Sequence, residues 1–161
     1  MGEKGSMVSK AGSKPGTEAR FPTLDDKLCF ALYSSSLAML QRYKQGLGDL
    51  GLTYPQYLVM LVLWEGDGLT IKRVAERLGL DSGSVTPLVK RLEEAGFLVR
   101  RRDSADERNL SIELTRDGRA LQEKAERASS QFVTACKLPL AEGGELRDAL
   151  MRLARTLREA D

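Results

Sequence analysis

Residues 80–115 read "LDSGSVTPLVKRLEEAGFLVRRRDSADERNLSIELT", and their pattern decides the fold. Val85, Leu88, Val89 and Leu92 recur at steps of three and four, which gives a helix one apolar face. Asp81 stands where an N-cap belongs, and Gly96 where a helix ends. The opposite face carries Gly83, Thr86, Pro87 and Lys90, with Ser84 and Arg91 at its flanks and Ser82 at its start. Small side chains let a helix approach a major groove closely. Ser, Thr, Lys and Arg offer groups to phosphates and base edges. Pro87 is awkward in a helix interior, and a local bend or a later helix start would accommodate it.

After Gly96 come two strand-like runs, Phe97–Arg102 and Asn109–Leu114, joined as a hairpin by the polar turn "DSADER". Arg100–Arg102 lead into the turn and Arg108 leaves it, so the hairpin supplies positive charge. An arginine at such a tip suits a narrow minor groove, and Asp106 is close enough in sequence to orient Arg108. Before Leu80, "LTIKRVAERL" is another short helix, capped by Thr70. Helix, short turn, helix and hairpin make a winged helix-turn-helix. A charge run alone is usually a solvated edge, but this combination favours double-stranded DNA as partner.

Working outward, "TYPQYLVMLVLWEGDG" is a helix with a Thr53/Gln56 capping box and Pro55 in its first turn. It is apolar all round, which implies burial on several sides. An earlier helix begins near "PTLDD", where Thr23 and Asp26 form a second box, and ends near "QGLGDLGL"; Leu28, Leu32, Met39 and Tyr43 recur along it. A long helix is expected from about Arg116 to Cys136, ended by Pro139. Another runs from about Glu142 to Glu159, with Leu146, Leu150, Leu153 and Leu157 on one stripe. Residues 1–22, rich in Gly, Ser and Lys, read as a flexible tail. The fold class is therefore mainly α with a small β-hairpin. A single domain over 23–161 holds a winged helix at about 53–115 and dimerisation helices at about 24–48 and 116–160.

Composition bounds the function. The 161 residues are 30% charged and 42% hydrophobic, with a net charge of +2, so a DNA face must come from local clustering. No apolar run is long enough for a membrane span, and no signal peptide is visible. Two distant cysteines make no secreted disulfide framework, and the chain reads as cytoplasmic. The absence of histidine speaks against a metal site of the zinc kind and removes a Ser-His-Asp triad. No cofactor is called for.

Cys29 lies in "DDKLCFALY" (25–33), and on the residues alone two readings of it stand: an inert thiol filling an apolar helix face, or a reactive one. Tyr33 is four residues on and shares its face. Tyr43 lies about 21 Å further along the same helix at about 1.5 Å per residue, so only the Cys29 of a partner subunit would be within its reach. Tyr54 is placed to do likewise. A free thiol ionises near pH 8.5, about, and needs help to react at neutral pH. Phenolic hydroxyls would supply it, with a smaller share from the helix N-terminus.

The strings "LCFALYSSSLAML", "LTYPQYLVMLVLWE", "LDSGSVTPLVKRLEEAGFLVRR" and "DERNLSIELTRDGRAL" together resemble the MarR family of bacterial regulators, in its organic hydroperoxide-sensing, OhrR-type branch. The match runs from about Leu24 to the C-terminus. The "DER" segment is general to the family, whereas "LCFALY" and "LTYPQYLVMLVLWE" are more specific to the peroxide-sensing branch. The resemblance implies a homodimer packed through its first and last helices, sitting as a repressor on a palindromic operator. It implies that Cys29 is the reactive sulfur, hydrogen-bonded by Tyr43 and Tyr54, and that organic hydroperoxide is its oxidant. It implies further that Cys136 is a resolving thiol, joined on oxidation to the Cys29 of the other subunit. The DNA-binding set is then Ser82, Ser84, Thr86, Pro87, Lys90, Arg91, Arg102, Asp106 and Arg108. The rivals are a MarR-type sensor of small phenolic ligands with Cys29 inert and, from another class, a thiol peroxidase. The lack of a C-x-x-C motif and of a βαβ pattern counts against an enzyme.

Overall fold

The computed structural model describes residues 22–102 and 110–160, in two compact units divided between Ser35 and Ser36. The expected tail up to residue 21, and the loop with Asp106 and Arg108, lie outside the described residues. The elements are α1 (Leu28–Gly48), α2 (Tyr54–Glu65), β1 (Leu69–Thr70), α3 (Ile71–Leu78), α4 (Ser82–Glu94), β2 (Leu98–Arg102), β3 (Leu110–Leu114), α5 (Arg116–Cys136) and α6 (Leu140–Glu159). In the first unit the Thr23/Asp26 box is present, with the Asp26 carboxylate accepting from Thr23 N and Oγ1 at 2.8 Å each. It closes a separate 3₁₀ turn, Leu24–Asp26. Lys27 is extended, so α1 starts only at Leu28.

In the second unit α2 runs through the core. Thr53 and Gln56 form the expected box, the Gln56 amide oxygen accepting from Thr53 N at 2.8 Å. Tyr57, Val59, Met60, Val62 and Leu63 are all buried, which is why this helix is apolar all round. Around them Leu47, Val74, Val85, Leu92, Leu98 and Ile112 are sealed from solvent. Each such side chain contributes about 1.5–3 kcal/mol of burial.

The helix-turn-helix is built from local signals. Thr70 Oγ1 accepts from Arg73 N and caps α3; Asp81 accepts from Ser84 N at 2.8 Å and caps α4. At the far end of α4, Gly96 takes φ 79°, Gly96 N reaches Glu93 O and Phe97 N reaches Leu92 O. That double closure needs a left-handed residue, which glycine adopts without strain. Pro87 lies inside α4, which starts at Ser82 and runs on to Glu94, so no later start is needed.

The structure adds one strand to the expected hairpin and shifts what bounds two helices. The hairpin is part of a three-stranded antiparallel sheet of order β1-β3-β2, because Leu69 and Thr70 pair with Ile112 and Ser111. Pro139 does not end α5. Lys137, left-handed at φ 51°, does, its N–H donating to Thr134 O. Pro139 instead opens α6, which begins at Leu140 rather than Glu142, with Gly143 N closing onto Pro139 O at 2.9 Å.

The start of α5 is locked to the winged helix. Trp64 Nε1 donates to Gly118 O at 2.9 Å, and Asp67 accepts from Leu114 N at 2.8 Å and from Arg119 Nη2 at 2.6 Å. A Cβ on Gly118 would stand 1.9 Å from the Phe97 carbonyl oxygen. The Phe97 carbonyl is main chain and cannot swing aside. Gly118→Ala should therefore cost at least about 3 kcal/mol, read as a lower urea midpoint. An unchanged midpoint would mean that α5 does not approach Phe97 this closely.

Candidate functional site

The exposed face of α4 carries Ser82, Ser84, Thr86, Pro87, Lys90 and Arg91, while Val85, Val89 and Leu92 are buried beneath it. Two hydroxyls on this face are already bonded. Ser84 Oγ donates to Asp81 Oδ2 at 2.6 Å, and Thr86 Oγ1 donates to Ser82 O at 2.7 Å. Each keeps acceptor capacity for an outside donor. The Ser84 hydroxyl, and then its main-chain N–H, hold the Asp81 carboxyl below its usual range, so the cap stays anionic at neutral pH. Lys90 lies 3.9 Å from Glu94 across one helical turn, an exposed and weak pairing.

Among the described residues, two arginines of the hairpin are paired with acids. Arg100 is bonded to Glu93 of α4, and Arg101 Nε lies 3.0 Å from Glu113 of β3. Strand alternation explains both. Leu98 points into the core, so Arg100, two residues on, projects on the same side toward α4. Arg101 projects on the other side with Glu113, which pairs in register with Val99. Arg102 is the last residue of β2.

The thiols and phenols fall in different places. Cys29, the second residue of α1, is exposed in the single chain, and Tyr33, one turn on, is 62% exposed. In the second unit Tyr43 is buried and Tyr54 half-buried, their ring centroids 4.9 Å apart. Tyr57 and Phe132 complete the group, at 5.8 and 4.9 Å from Tyr43. Tyr57 escaped the sequence reading because a helix apolar on every side marks no face. Burial pushes the Tyr54 phenol above its ordinary 10.0, with Tyr43 and then Tyr57 adding to the effect. Burial does the same to Tyr57, against a pull from Ser129. Both phenols therefore stay protonated, as hydrogen-bond donors, throughout the neutral range. Beside this group an open cleft of about 580 Å³ lies between α1 and α5, with Arg42 and Lys137 among its lining residues. Cys136, the last residue of α5, is exposed.

A capped recognition-type helix packed on a three-stranded sheet, between long helices with apolar residues still exposed, defines a winged-helix transcriptional regulator. The chain matches the family model for the transcriptional regulator SarA/Rot over residues 41–125. It is 43% identical over 136 residues to the organic hydroperoxide resistance transcriptional regulator of Bacillus subtilis, covering 84% of this chain and 92% of that one. Among solved structures it resembles reduced AbfR bound to DNA, at TM-score 0.73 and 37% identity over 84% of this chain and 93% of that one. It also resembles disulfide-formed AbfR, at TM-score 0.60 and 36% identity over 84% and 90%. The chain belongs to the MarR family of transcriptional regulators, in its OhrR-type branch, and carries two cysteines. It is a regulator and not an enzyme, so the thiol-peroxidase reading falls.

Proposed function

We propose that this protein is a dimeric, cytoplasmic repressor that binds a palindromic operator when reduced and releases it when an organic hydroperoxide oxidises Cys29. The observation that carries the reading is an exposed thiol at the start of α1 in a chain of OhrR type. The dimer would use the apolar residues left exposed on α1, α5 and α6, among them Leu37, Leu40, Val133, Leu146, Leu150 and Leu157. The winged helix of residues 53–115 would then be carried by helices at 24–48 and 116–160. Among the described residues no helix is long and apolar enough to cross a membrane.

The chemistry takes two steps. The Cys29 thiolate attacks the terminal peroxide oxygen; the O–O bond breaks, an alcohol leaves, and the sulfur becomes a sulfenic acid. The Cys136 thiol then displaces the sulfenic oxygen as water and forms an S–S bond to Cys29 of the partner subunit. Tyr43 and Tyr54 of the opposite subunit would donate hydrogen bonds to the Cys29 thiolate, with Tyr33 beside it on α1. DNA would be held by Ser82, Ser84, Thr86, Pro87, Lys90 and Arg91 of α4, together with Arg102, Asp106 and Arg108.

A gel shift on DNA upstream of the protein's own gene tests this. Organic hydroperoxide should abolish the shift, and a thiol reductant should restore it. A shift indifferent to both would sink the sensing. Because the dimer carries Lys90 twice, Lys90→Ala should flatten the slope of log affinity against log salt by about 1.8, two phosphates' worth. An unchanged slope would take Lys90 off the DNA face. The second reading, a small phenolic acid as effector, draws on the cleft beside Tyr43 and its flanking cations. Release by such a compound under reducing conditions would favour it.

A further inference from the structure

Among the described residues, Glu93 and Arg100 meet more closely than the other acid–base pairs on the DNA-reading elements α4 and β2. Arg100 N donates to Glu93 Oε1 at 3.1 Å, Arg100 Nε to Oε2 at 2.8 Å, and Arg100 Nη2 lies 2.6 Å from Oε2. One carboxylate thus grips both the main chain and the guanidinium of a residue on the next element. The neighbouring pairs are single contacts, Lys90–Glu94 at 3.9 Å and Arg101–Glu113 at 3.0 Å. The Arg100 and Glu93 side chains are 34% and 29% exposed, less than those of the other two pairs. Glu93 follows the buried Leu92 near the end of α4, and Arg100 follows the buried Leu98 by two residues on β2. The pair therefore spans the turn at Gly96 and ties the recognition helix to the strand that leads into the basic loop.

We infer that Glu93 and Arg100 are a positioning pair that sets the angle between α4 and β2, and that Arg100 is not a phosphate contact. This rests on the DNA-reading proposed above. The bonded Arg100 side chain, first, holds the Glu93 carboxyl below its usual range, so the link stays charged at neutral pH. With Nε and Nη2 both engaged on the Glu93 carboxylate, the Arg100 charge is largely offset beside it, which lowers its worth to a phosphate.

Substitutions separate a clamp from a phosphate contact by sign. Glu93→Gln removes a negative charge from the DNA side. If Arg100 held a phosphate, freeing it would tighten binding. A clamp predicts the reverse, a loss of about tenfold on the operator, the worth of one charge-assisted bond. Arg100→Lys keeps the charge and loses the fork. A clamp predicts about the same tenfold loss with an unchanged salt slope, whereas a phosphate contact would be nearly preserved. The double variant Glu93→Gln, Arg100→Gln should bind no worse than either single change, because both remove one interaction. Binding is measured by fluorescence anisotropy on the operator and on a random duplex, with circular dichroism confirming the fold. Affinity for the random duplex should not fall in Glu93→Gln. Wild-type operator affinity in Arg100→Lys, or tighter operator binding by Glu93→Gln, would overturn the assignment. Wild-type protein that did not prefer its operator to the random duplex would instead overturn the DNA-reading beneath it.

Discussion

Cys29→Ser protein should bind its operator as tightly as the wild type and stay bound at hydroperoxide concentrations that empty the wild-type complex. The change replaces sulfur by oxygen at an exposed position of α1. Such a surface substitution moves stability by no more than about 0.5 kcal/mol, so the fold and the reading face should be intact. What is lost is the only atom in the proposal that attacks peroxide. A serine hydroxyl is not ionised at neutral pH and has no sulfenic state, so the response should vanish rather than weaken. Gel shifts across a peroxide titration read this directly. A variant that still leaves the operator on peroxide treatment would overturn the sensing assignment. One that ignores peroxide but responds to a phenolic acid would move the second reading ahead.

The parts of the fold legible in the sequence are those that local chemistry determines. Asp81, Gly96 and the step of three and four through Val85, Leu88, Val89 and Leu92 mark α4 without reference to anything else, and the helix is found between those bounds. Thr53 with Gln56 marks α2 in the same way. Strand β1 was invisible because two residues show no alternation. Leu69 and Thr70 are extended only because β3 lies beside them. The helix α5 ends at Cys136 as expected, but what stops it is Lys137 in the left-handed region rather than Pro139, and nothing in a lysine announces that conformation.

The candidate site divides along the same line. The exposed hydroxyls and bases of α4 follow from its helical period. The pairing of Arg100 with Glu93, and of Arg101 with Glu113, depends on which side of β2 faces α4, which the run "RRR" does not reveal. Tyr43 and Tyr54 drew notice through their spacing from Cys29, and the family resemblance gave them a role. Their company with Tyr57 and Phe132 arises only when α1, α2 and α5 pack together. Cys29 is exposed in the single chain, and it is the peroxide response of Cys29→Ser that separates its two readings.

Cys136→Ser should abolish covalent dimer formation while leaving Cys29 oxidisable. The two cysteines occupy opposite helix ends, Cys29 as the second residue of α1 and Cys136 as the last of α5. In the proposal the phenols of Tyr43 and Tyr54 serve the Cys29 sulfur alone, so Cys29 should react first and Cys136 should follow as the trap. Cys136 is exposed, and the left-handed Lys137 beyond it ends the helix, so its thiol is open to a partner. Wild-type protein given mild organic hydroperoxide, with no small thiol present, should run on a non-reducing gel at twice the 17.8 kDa of the chain. Cys29→Ser and Cys136→Ser should both run as single chains. In Cys136→Ser the sulfenic acid has no protein thiol to meet, so release of DNA should be less complete and high peroxide should drive Cys29 on to sulfinic acid, a gain of two oxygens by mass spectrometry. A covalent dimer that survives in Cys136→Ser would refute the pairing of Cys29 with Cys136, because the sulfur joining the subunits would then have to be Cys29 itself.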